Sequence, residues 1–406
     1  MTPPGANEST RPKRARLPRR DWFLLPLIGL LTICLLAALA DLVSWLGFSH
    51  SVTELSDCLV SDPKTGVRAL PNRVCWDKGS EGKLTEYRFN SCGQRADSEC
   101  EPKAPGAYRI VMIGSSFAMG DRVANSDSLA SLLPAELSRQ TGRKVELYNE
   151  GMLWGTPHSV SLRFNKILAD QPDMILWPIG PWDIQSVKVV MPSGKSNFDK
   201  KDASQLSSMS FADRIRFWIG SLARNAVPPP VTVDIAQARL MLQHALYQSQ
   251  SQYVDSYLLN GSQDAEFLKV EPNAEWKAEL KDFDGYVADM EERSTAAGVT
   301  FVAVLVPNRA QAAMISMGEW PEGYDPYKFG DDLRAIVSSH GGTYVDILQG
   351  FRNPPNPEQY YLPVDGHPDA RGHAMVTVLL DKALTGGAVP ALRVASETQI
   401  GLAKDR

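Results

Sequence analysis

Two short stretches, far apart in the chain, carry side chains from which acyl-transfer chemistry can be assembled. The first is Gly114-Ser115-Ser116-Phe117-Ala118-Met119-Gly120. The second is Asp365-Gly366-His367-Pro368, followed by Gly372-His373. A serine hydroxyl is a weak nucleophile until a base takes its proton, and an imidazole serves as that base once a carboxylate fixes its tautomer. Ser116, His367 and Asp365 supply the three parts in those roles. Ser116 alone would read as a turn serine; the acid and base near the other end of the chain single it out. The remaining candidates carry weaker signals. His373 reads as a packing or capping residue, His158 as a satisfied loop histidine, and Arg309 as a solvated arginine near the path of a substrate. Trp154 and Trp182 suit a sugar-stacking wall and a core role equally well.

These stretches sit where an open α/β sheet would place them. Tyr108 to Ile113 is a short apolar run of the kind that forms a buried parallel strand, and the helix-spaced Leu129, Leu132, Leu133 and Leu137 follow it. Lys144 to Tyr148 reads as a strand, Ser159 to Ala169 as a helix and Met174 to Ile179 as a strand. The pattern resumes with strands at Val299–Val306 and Thr343–Ile347 and helices at Phe329–Ser339 and Gly372–Leu384. Such alternation predicts a parallel sheet with helices on both faces, an α/β three-layer domain. Ligands bind outside the carboxyl ends of such strands. Ser116 follows the first strand, Asn149-Glu150-Gly151 with Gly155 the second, and Gly180-Pro181-Trp182-Asp183 the third. Between the two halves lies an insertion, residues 186–296. It opens polar, contains Val227-Pro228-Pro229-Pro230-Val231, and is mainly helical in pattern over 233–259 and 274–296.

Together these blocks resemble the SGNH (GDSL-like) hydrolase family over roughly residues 106–185 and 297–385. The family opens on G-D-S-x-x-x-G. Here Ser116 takes the nucleophile position and Ser115 replaces the aspartate. The family's second block contributes a glycine, matched by Gly151, and its third, G-x-N-D, reads Gly180-Pro181-Trp182-Asp183, with Trp182 in place of asparagine. Asp365 and His367 match the last block, and their D-x-H spacing is similar to that of the branch that includes alginate-type O-acetylation proteins. The resemblance implies an oxyanion hole made by the backbone N–H groups of Ser116 and Gly151. Trp182 replaces the third donor with an indole N–H of different reach, and losing one such donor typically costs about 100- to 1000-fold in rate. It also implies a serine esterase acting on acyl groups, acetyl among them, carried by cell-envelope or exopolysaccharide sugars. Two rivals stand beside it. One is a polysaccharide O-acetyltransferase, in which a sugar hydroxyl captures the acyl-enzyme. The other, motivated by Trp182, is a non-catalytic carbohydrate-binding or assembly protein.

Charge separates the first residues from the rest. Residues 1–20 hold six basic side chains and one acid; without them the chain has 36 basic and 46 acidic residues. An acidic body does not attract a polyanion, which excludes nucleic acid as a partner. Trp22 to Ala40 is a charge-free run of nineteen residues, about 28 Å as a helix and close to the thickness of a bilayer's hydrocarbon. Arg19 and Arg20 precede it, so the positive-inside rule puts residues 1–20 in the cytoplasm and everything after about residue 48 outside. A cleaved signal peptide ending at Ala38-Leu39-Ala40 is the alternative. Cys34 lies in the run, whereas Cys58, Cys75, Cys92 and Cys100 crowd just beyond it. An even number of cysteines beyond a membrane segment predicts two disulfides with three pairings open, and a zinc site is the competing reading.

The expected organisation is a basic tail (1–21), a transmembrane anchor (22–47), a disulfide-rich stalk with little core of its own (48–105), an SGNH-like hydrolase domain (106–390) with the 186–296 insertion, and a C-terminal tail (391–406). The expected setting is single-pass in the inner (cytoplasmic) membrane with the catalytic domain periplasmic. The expected partners are that membrane and an acylated carbohydrate, and no metal or organic cofactor is called for.

Overall fold

The computed structural model describes residues 20–47, 55–62, 66–77, 81–185, 242–247, 249–260 and 265–394. Its centre is a five-stranded, all-parallel sheet of β5 (Tyr108–Met112), β6 (Val145–Asn149), β7 (Met174–Ile179), β8 (Thr300–Leu305) and β9 (Thr343–Val345), in the order β6-β5-β7-β8-β9. β5 and β7 are buried at every position, as strands covered on both faces must be. Helices Leu129–Thr141 and Ala370–Ala383 pack on each other, with the former against β6. Helix Ala274–Ala296 packs on Pro157–Ala169, on Lys328–Ser339 and on β8. Trp177, Phe283 and Phe301 are fully buried between the sheet and these helices, with the Trp177 and Phe283 ring centroids 5.1 Å apart. The α/β three-layer domain read from the sequence is therefore present, and its strand ends differ from the expected ones by one or two residues.

Pro178 lies near the carboxyl end of β7, beside the point where the sheet order reverses. Pairing of β5 with β7 ends at Met112 opposite Leu176, while β7 goes on to pair with β8 through Pro178 opposite Val304. Proline lacks an N–H and is tolerated where no strand asks for one. Ile113 N–H still donates to Leu176 O at 2.9 Å before the chain enters a helical turn, and the order of the sheet reverses between β5 and β7, with β6 on the other side of β5. That is the switch point at which open α/β sheets bind ligands.

Residues 55–105 differ from the expected stalk. They form two antiparallel hairpins, β1 (Leu59–Asp62) with β2 (Gly66–Ala69) and β3 (Arg73–Asp77) with β4 (Thr85–Phe89), stapled by Cys58–Cys75 and Cys92–Cys100. This settles the pairing and sets aside zinc for these cysteines. The correction concerns the core. Leu55, Val67, Tyr87 and Phe89 form one buried cluster with Met119, in the helical turn after β5, and Met152, in the loop after β6. The disulfide module therefore packs onto the end of the α/β domain where β5 and β6 finish, because its short hairpins cannot bury their apolar faces alone.

A 27-residue helix, Asp21–Gly47, carries the apolar run, and its Trp22, Phe23, Ile28 and Leu35 are exposed. Side chains of this helix are described without a break only over 22–36, and among the described residues no helix is long and apolar enough to cross a membrane. Of the insertion, helices Gln250–Asn260 and Ala274–Ala296 are described. The proline-rich segment 227–231 lies outside the described residues.

Candidate active site

β5 leads through Gly114 and Ser115 into a single helical turn, Ser116–Met119, that begins with Ser116. At the other end of the chain, residues 361–368 form a tight loop. Tyr361 bridges Pro368, Leu362 N–H donates to His367 O at 2.8 Å, and Gly366 N–H donates to Leu362 O at 2.9 Å. Gly366 has φ of 84°, a left-handed value that costs glycine nothing. This turn brings Asp365 and His367, two residues apart, onto one side of the loop. Helix Ala370–Ala383 then starts from Asp369, whose carboxylate accepts N–H groups of Arg371 and Gly372.

The three side chains meet. His367 Nε2 is 2.7 Å from Ser116 Oγ, and His367 Nδ1 is 2.5 Å from Asp365 Oδ1. The imidazole therefore carries its proton on Nδ1, facing the carboxylate, and presents Nε2 as the acceptor for the hydroxyl proton. Burial works to raise the pKa of Asp365, but the bond to His367, the charge of His367 and that of Arg122 outweigh it and hold the carboxyl down at about 2. Burial pushes the His367 imidazole down, but the bond and charge of Asp365 prevail and raise it, while Arg122 opposes them.

Asp365 is bound from two further directions. Its N–H and that of Val364 both donate to Glu81 Oε2, at 2.7 and 2.8 Å. Its Oδ2 accepts from Arg122 Nε at 3.3 Å, and the same guanidinium pairs with Asp77 at the end of β3. Arg122 has a left-handed φ of 67°, uncommon outside glycine. The conformation is fixed by its backbone N–H, which donates to Asp121 Oδ1 and to the Tyr87 hydroxyl oxygen, each at 3.0 Å. Below Ser116, the buried Arg95 donates to the carbonyls of Met119, Gly120 and Val123. None of Glu81, Asp77, Arg95 or Arg122 stands out in the sequence, because each partner is remote along the chain.

The other expected residues fall into place unevenly. Gly151 does not line the cleft, and its N–H donates to Asn149 Oδ1 at 2.9 Å. The expected oxyanion role for this N–H is thus corrected. What the position demands is space, since a Cβ there would lie 2.5 Å from Met119 N. In the same loop Trp154 holds a left-handed φ of 57°. Trp182 does line the cleft and is 46% exposed. Its neighbour Asp183 is buried and accepts from Gly180 N–H at 2.8 Å and from the Ser115 hydroxyl. Burial pushes the Asp183 carboxyl up to about 7. Ser115, where the resemblance has an aspartate, thus ties the β5 turn to the β7 turn. His373 is a packing and capping residue, as read. Its ring stacks on Phe117 at 4.9 Å and its Nδ1 accepts Leu129 N–H, and burial holds its pKa down at about 3. His158 is satisfied by Tyr286 at 3.0 Å.

Ser116 and His367 open into a cleft of about 880 Å³. Its far wall comes from the insertion, with Gln243, His244, Tyr247, Tyr253 and Tyr257. Arg309 is not the solvated arginine expected. It lies over the Tyr253 ring at 4.0 Å and donates to the carbonyls of Glu358 and Pro363 and to His244 Nδ1. Burial, then the Arg309 charge, hold the His244 pKa down at about 4, so the ring stays neutral and accepts. Sequence reasoning missed this wall, although the tyrosines at 247, 253 and 257 were visible within a helical pattern.

No family model and no curated protein matches the chain. Among solved structures it is similar to an alpha/beta hydrolase from the metagenome of Lake Arreo, Spain, at 15% identity over 71% of this chain and 97% of that one, with a TM-score of 0.37. It is similar to a GDSL-like lipase from Bacteroides thetaiotaomicron at 13% identity over 70% and 91%, with a TM-score of 0.34. A third is a catalytic mutant of an acetylxylan esterase from Geobacillus stearothermophilus, at 11% identity over 73% and 100%, with a TM-score of 0.37. Likenesses this slight assign neither an activity nor a substrate, and the geometry around Ser116 stands by itself.

Proposed function

We propose that this protein is a membrane-anchored, extracytoplasmic serine esterase acting on acyl esters of cell-envelope or exopolysaccharide sugars, with acetyl as the favoured group. The observation that carries the reading is the unbroken relay from Ser116 Oγ through His367 to Asp365 at the mouth of an open cleft. Ser116 attacks the ester carbonyl as His367 Nε2 takes its proton, and Asp365 stabilises the imidazolium that forms. The imidazolium returns the proton to the departing sugar oxygen. Water, deprotonated by the same imidazole, then attacks the acyl carbonyl, and the imidazolium gives that proton to Ser116 Oγ as the acid leaves. The Ser116 backbone N–H and the Trp182 indole are the donors proposed for the oxyanion.

Two features support a sugar ester over a charged acyl carrier. The charged side chains lining the described cleft, Arg309 and Asp365, are each engaged within the protein. The uncharged lining is rings and amides, among them Trp182, Tyr257 and Gln243, side-chain types that stack on and hydrogen-bond to uncharged polyols. The anchor is supported by the charge-free run Trp22–Ala40 with Arg19 and Arg20 before it, and the extracytoplasmic setting by the disulfides, which belong to an oxidising compartment.

The test is labelling with a fluorophosphonate alongside hydrolysis of an acetylated oligosaccharide. Labelling of Ser116 with release of acetate supports the esterase. Labelling with acetate moved onto an added oligosaccharide would make it the transferase. Neither labelling nor turnover would leave the binding-protein reading. An active alkaline phosphatase fused to the C-terminus is expected, and an inactive one would sink the topology.

A further inference from the structure

We infer that the disulfide module is a positioning device for the catalytic loop, acting through Glu81 and Arg122 to keep Asp365 and His367 in register with Ser116. The inference rests on the esterase reading for its meaning but on separate contacts for its support. Loop 361–368 is tied to the α/β domain through Tyr361 and Pro363, yet its acid end is held by the module. Glu81, only 8% exposed, accepts both Val364 and Asp365 N–H groups on one oxygen. Arg122 lies between two carboxylates, Asp77 of the module and Asp365 of the triad, each about a quarter exposed. Asp77 ends the strand that Cys75 ties to Cys58, so the disulfide braces the strand on which the clamp stands.

Holding the acid in this way also sets the base. The groups facing His367 are Asp365 on its own loop, Asp121 and Arg122 after the helical turn, and His373 on the last helix; behind them stand Tyr87, Asp77 and Glu81 of the module. Asp365 and Asp121 favour the imidazolium, and Arg122 disfavours it. The imidazole must be neutral to accept the Ser116 proton, so the acid limb of kcat/KM follows its pKa. Removing the Arg122 charge takes away a cation that opposes the imidazolium, and it frees Asp365 to bind His367 alone. Both effects move the limb to higher pH.

The experiment uses the full chain with 13C-labelled histidine, the His367 resonance being assigned by its loss in His367→Asn. His367 titration is followed in wild type, Arg122→Gln and Arg122→Lys, and kcat and KM for phenyl acetate are measured in the same proteins and in Glu81→Ala and Glu81→Gln. Arg122→Gln is expected to raise the His367 pKa and carry the acid limb with it, while Arg122→Lys stays near wild type. Glu81→Ala is expected to lower kcat by about 10- to 100-fold at unchanged KM, the usual scale for a slightly misplaced catalytic group. Glu81→Gln, which keeps an acceptor oxygen, should recover most of that. An unmoved His367 titration in Arg122→Gln, or Glu81→Ala within twofold of wild type, overturns the proposal. If the wild type turns over no ester, the esterase reading fails, and the titration still decides the clamp.

Discussion

The α/β domain carries two additions that reach the same catalytic loop, and they are built from different materials. The disulfide module meets it with carboxylates, a guanidinium and crosslinked strands: Glu81 on two backbone N–H groups, Arg122 between Asp77 and Asp365, and Arg95 on three carbonyls beneath Ser116. The insertion faces it across the cleft with aromatic rings, Tyr247, Tyr253 and Tyr257, whose centroids follow one another at 5.8 and 6.3 Å, and Arg309 of the α/β domain joins the two by lying over Tyr253 and donating to Pro363 O. Charged groups with fixed partners lock a geometry, because breaking one leaves a charge unpaired. Rings and amides present a surface that a ligand can use. The module should therefore govern kcat, and the insertion wall should govern KM for a sugar ester.

The largest effect falls on the residue that both serve. Ser116→Ala should abolish fluorophosphonate labelling and lower ester hydrolysis by at least about 10⁴-fold, since the nucleophile itself is gone. Labelling that survives this change would place the nucleophile elsewhere and dissolve the comparison. Next comes the module. Cys58→Ser with Cys75→Ser should reduce stability by roughly 2–4 kcal/mol and lower kcat with KM for phenyl acetate unchanged. Urea denaturation together with steady-state kinetics reads both, and a rise in KM alone would assign the module to binding.

Trp182, on the turn after β7, lines the same cleft as the insertion wall, and Trp182→Ala tests the role of its ring. Loss of a stacking ring worth about 0.5–1.5 kcal/mol should raise KM for an acetylated oligosaccharide by about 2- to 10-fold and leave KM for phenyl acetate unchanged, while loss of the proposed indole donor lowers kcat for both. An equal rise in KM for both substrates would show that the ring does not stack on the sugar. Trp182→Asn separates its two roles. It loses the ring but restores an amide donor, so kcat should rise even as KM for the sugar ester worsens.

What could be read from the sequence follows the same division. Three of the sheet strands, Tyr108–Met112, Met174–Ile179 and Thr300–Leu305, were legible because each is a mainly apolar run, whereas Val145–Asn149 carries Glu146 and Thr343–Val345 is only three residues long. Ser116, Asp365 and His367 were legible because three reactive residue types fell at strand ends and ahead of a helix. The module was not read as a packed unit. In β4, Thr85, Tyr87 and Phe89 alternate inward with Glu86 and Arg88 outward, a signal that was present but only five residues long. The surface it needs, Met119 and Met152, lies elsewhere in the chain. Glu81 and Arg122 were illegible for the same reason, since Arg122 and Asp365 are 243 residues apart. Gly151 was read as an N–H donor when its lack of a side chain was the operative property. That distinction needs the 2.5 Å approach to Met119 N, which only the folded chain shows.

The smallest expected effect concerns a group that belongs to neither addition. Asp183 joins the β5 and β7 turns from inside the α/β domain, and burial raises its carboxyl to about 7. In the unfolded chain an aspartate titrates near 4, at about 3.9. Between those values the native state holds a proton that the unfolded state has released, so its stability is fully present below about pH 4 and declines as pH rises through 7. The Asp183→Asn variant would carry no ionisable proton at this position while still offering an oxygen to Gly180 N–H. Its melting temperature relative to wild type should therefore climb by at least about 2 °C between pH 5 and pH 8. Differential scanning fluorimetry at pH 5, 6.5 and 8 measures this. A gap that stays constant over the range would mean that Asp183 is ionised throughout, with its cost met by Ser115 and Gly180, and the turn that carries Trp182 would then be fixed by charge in the manner of the module.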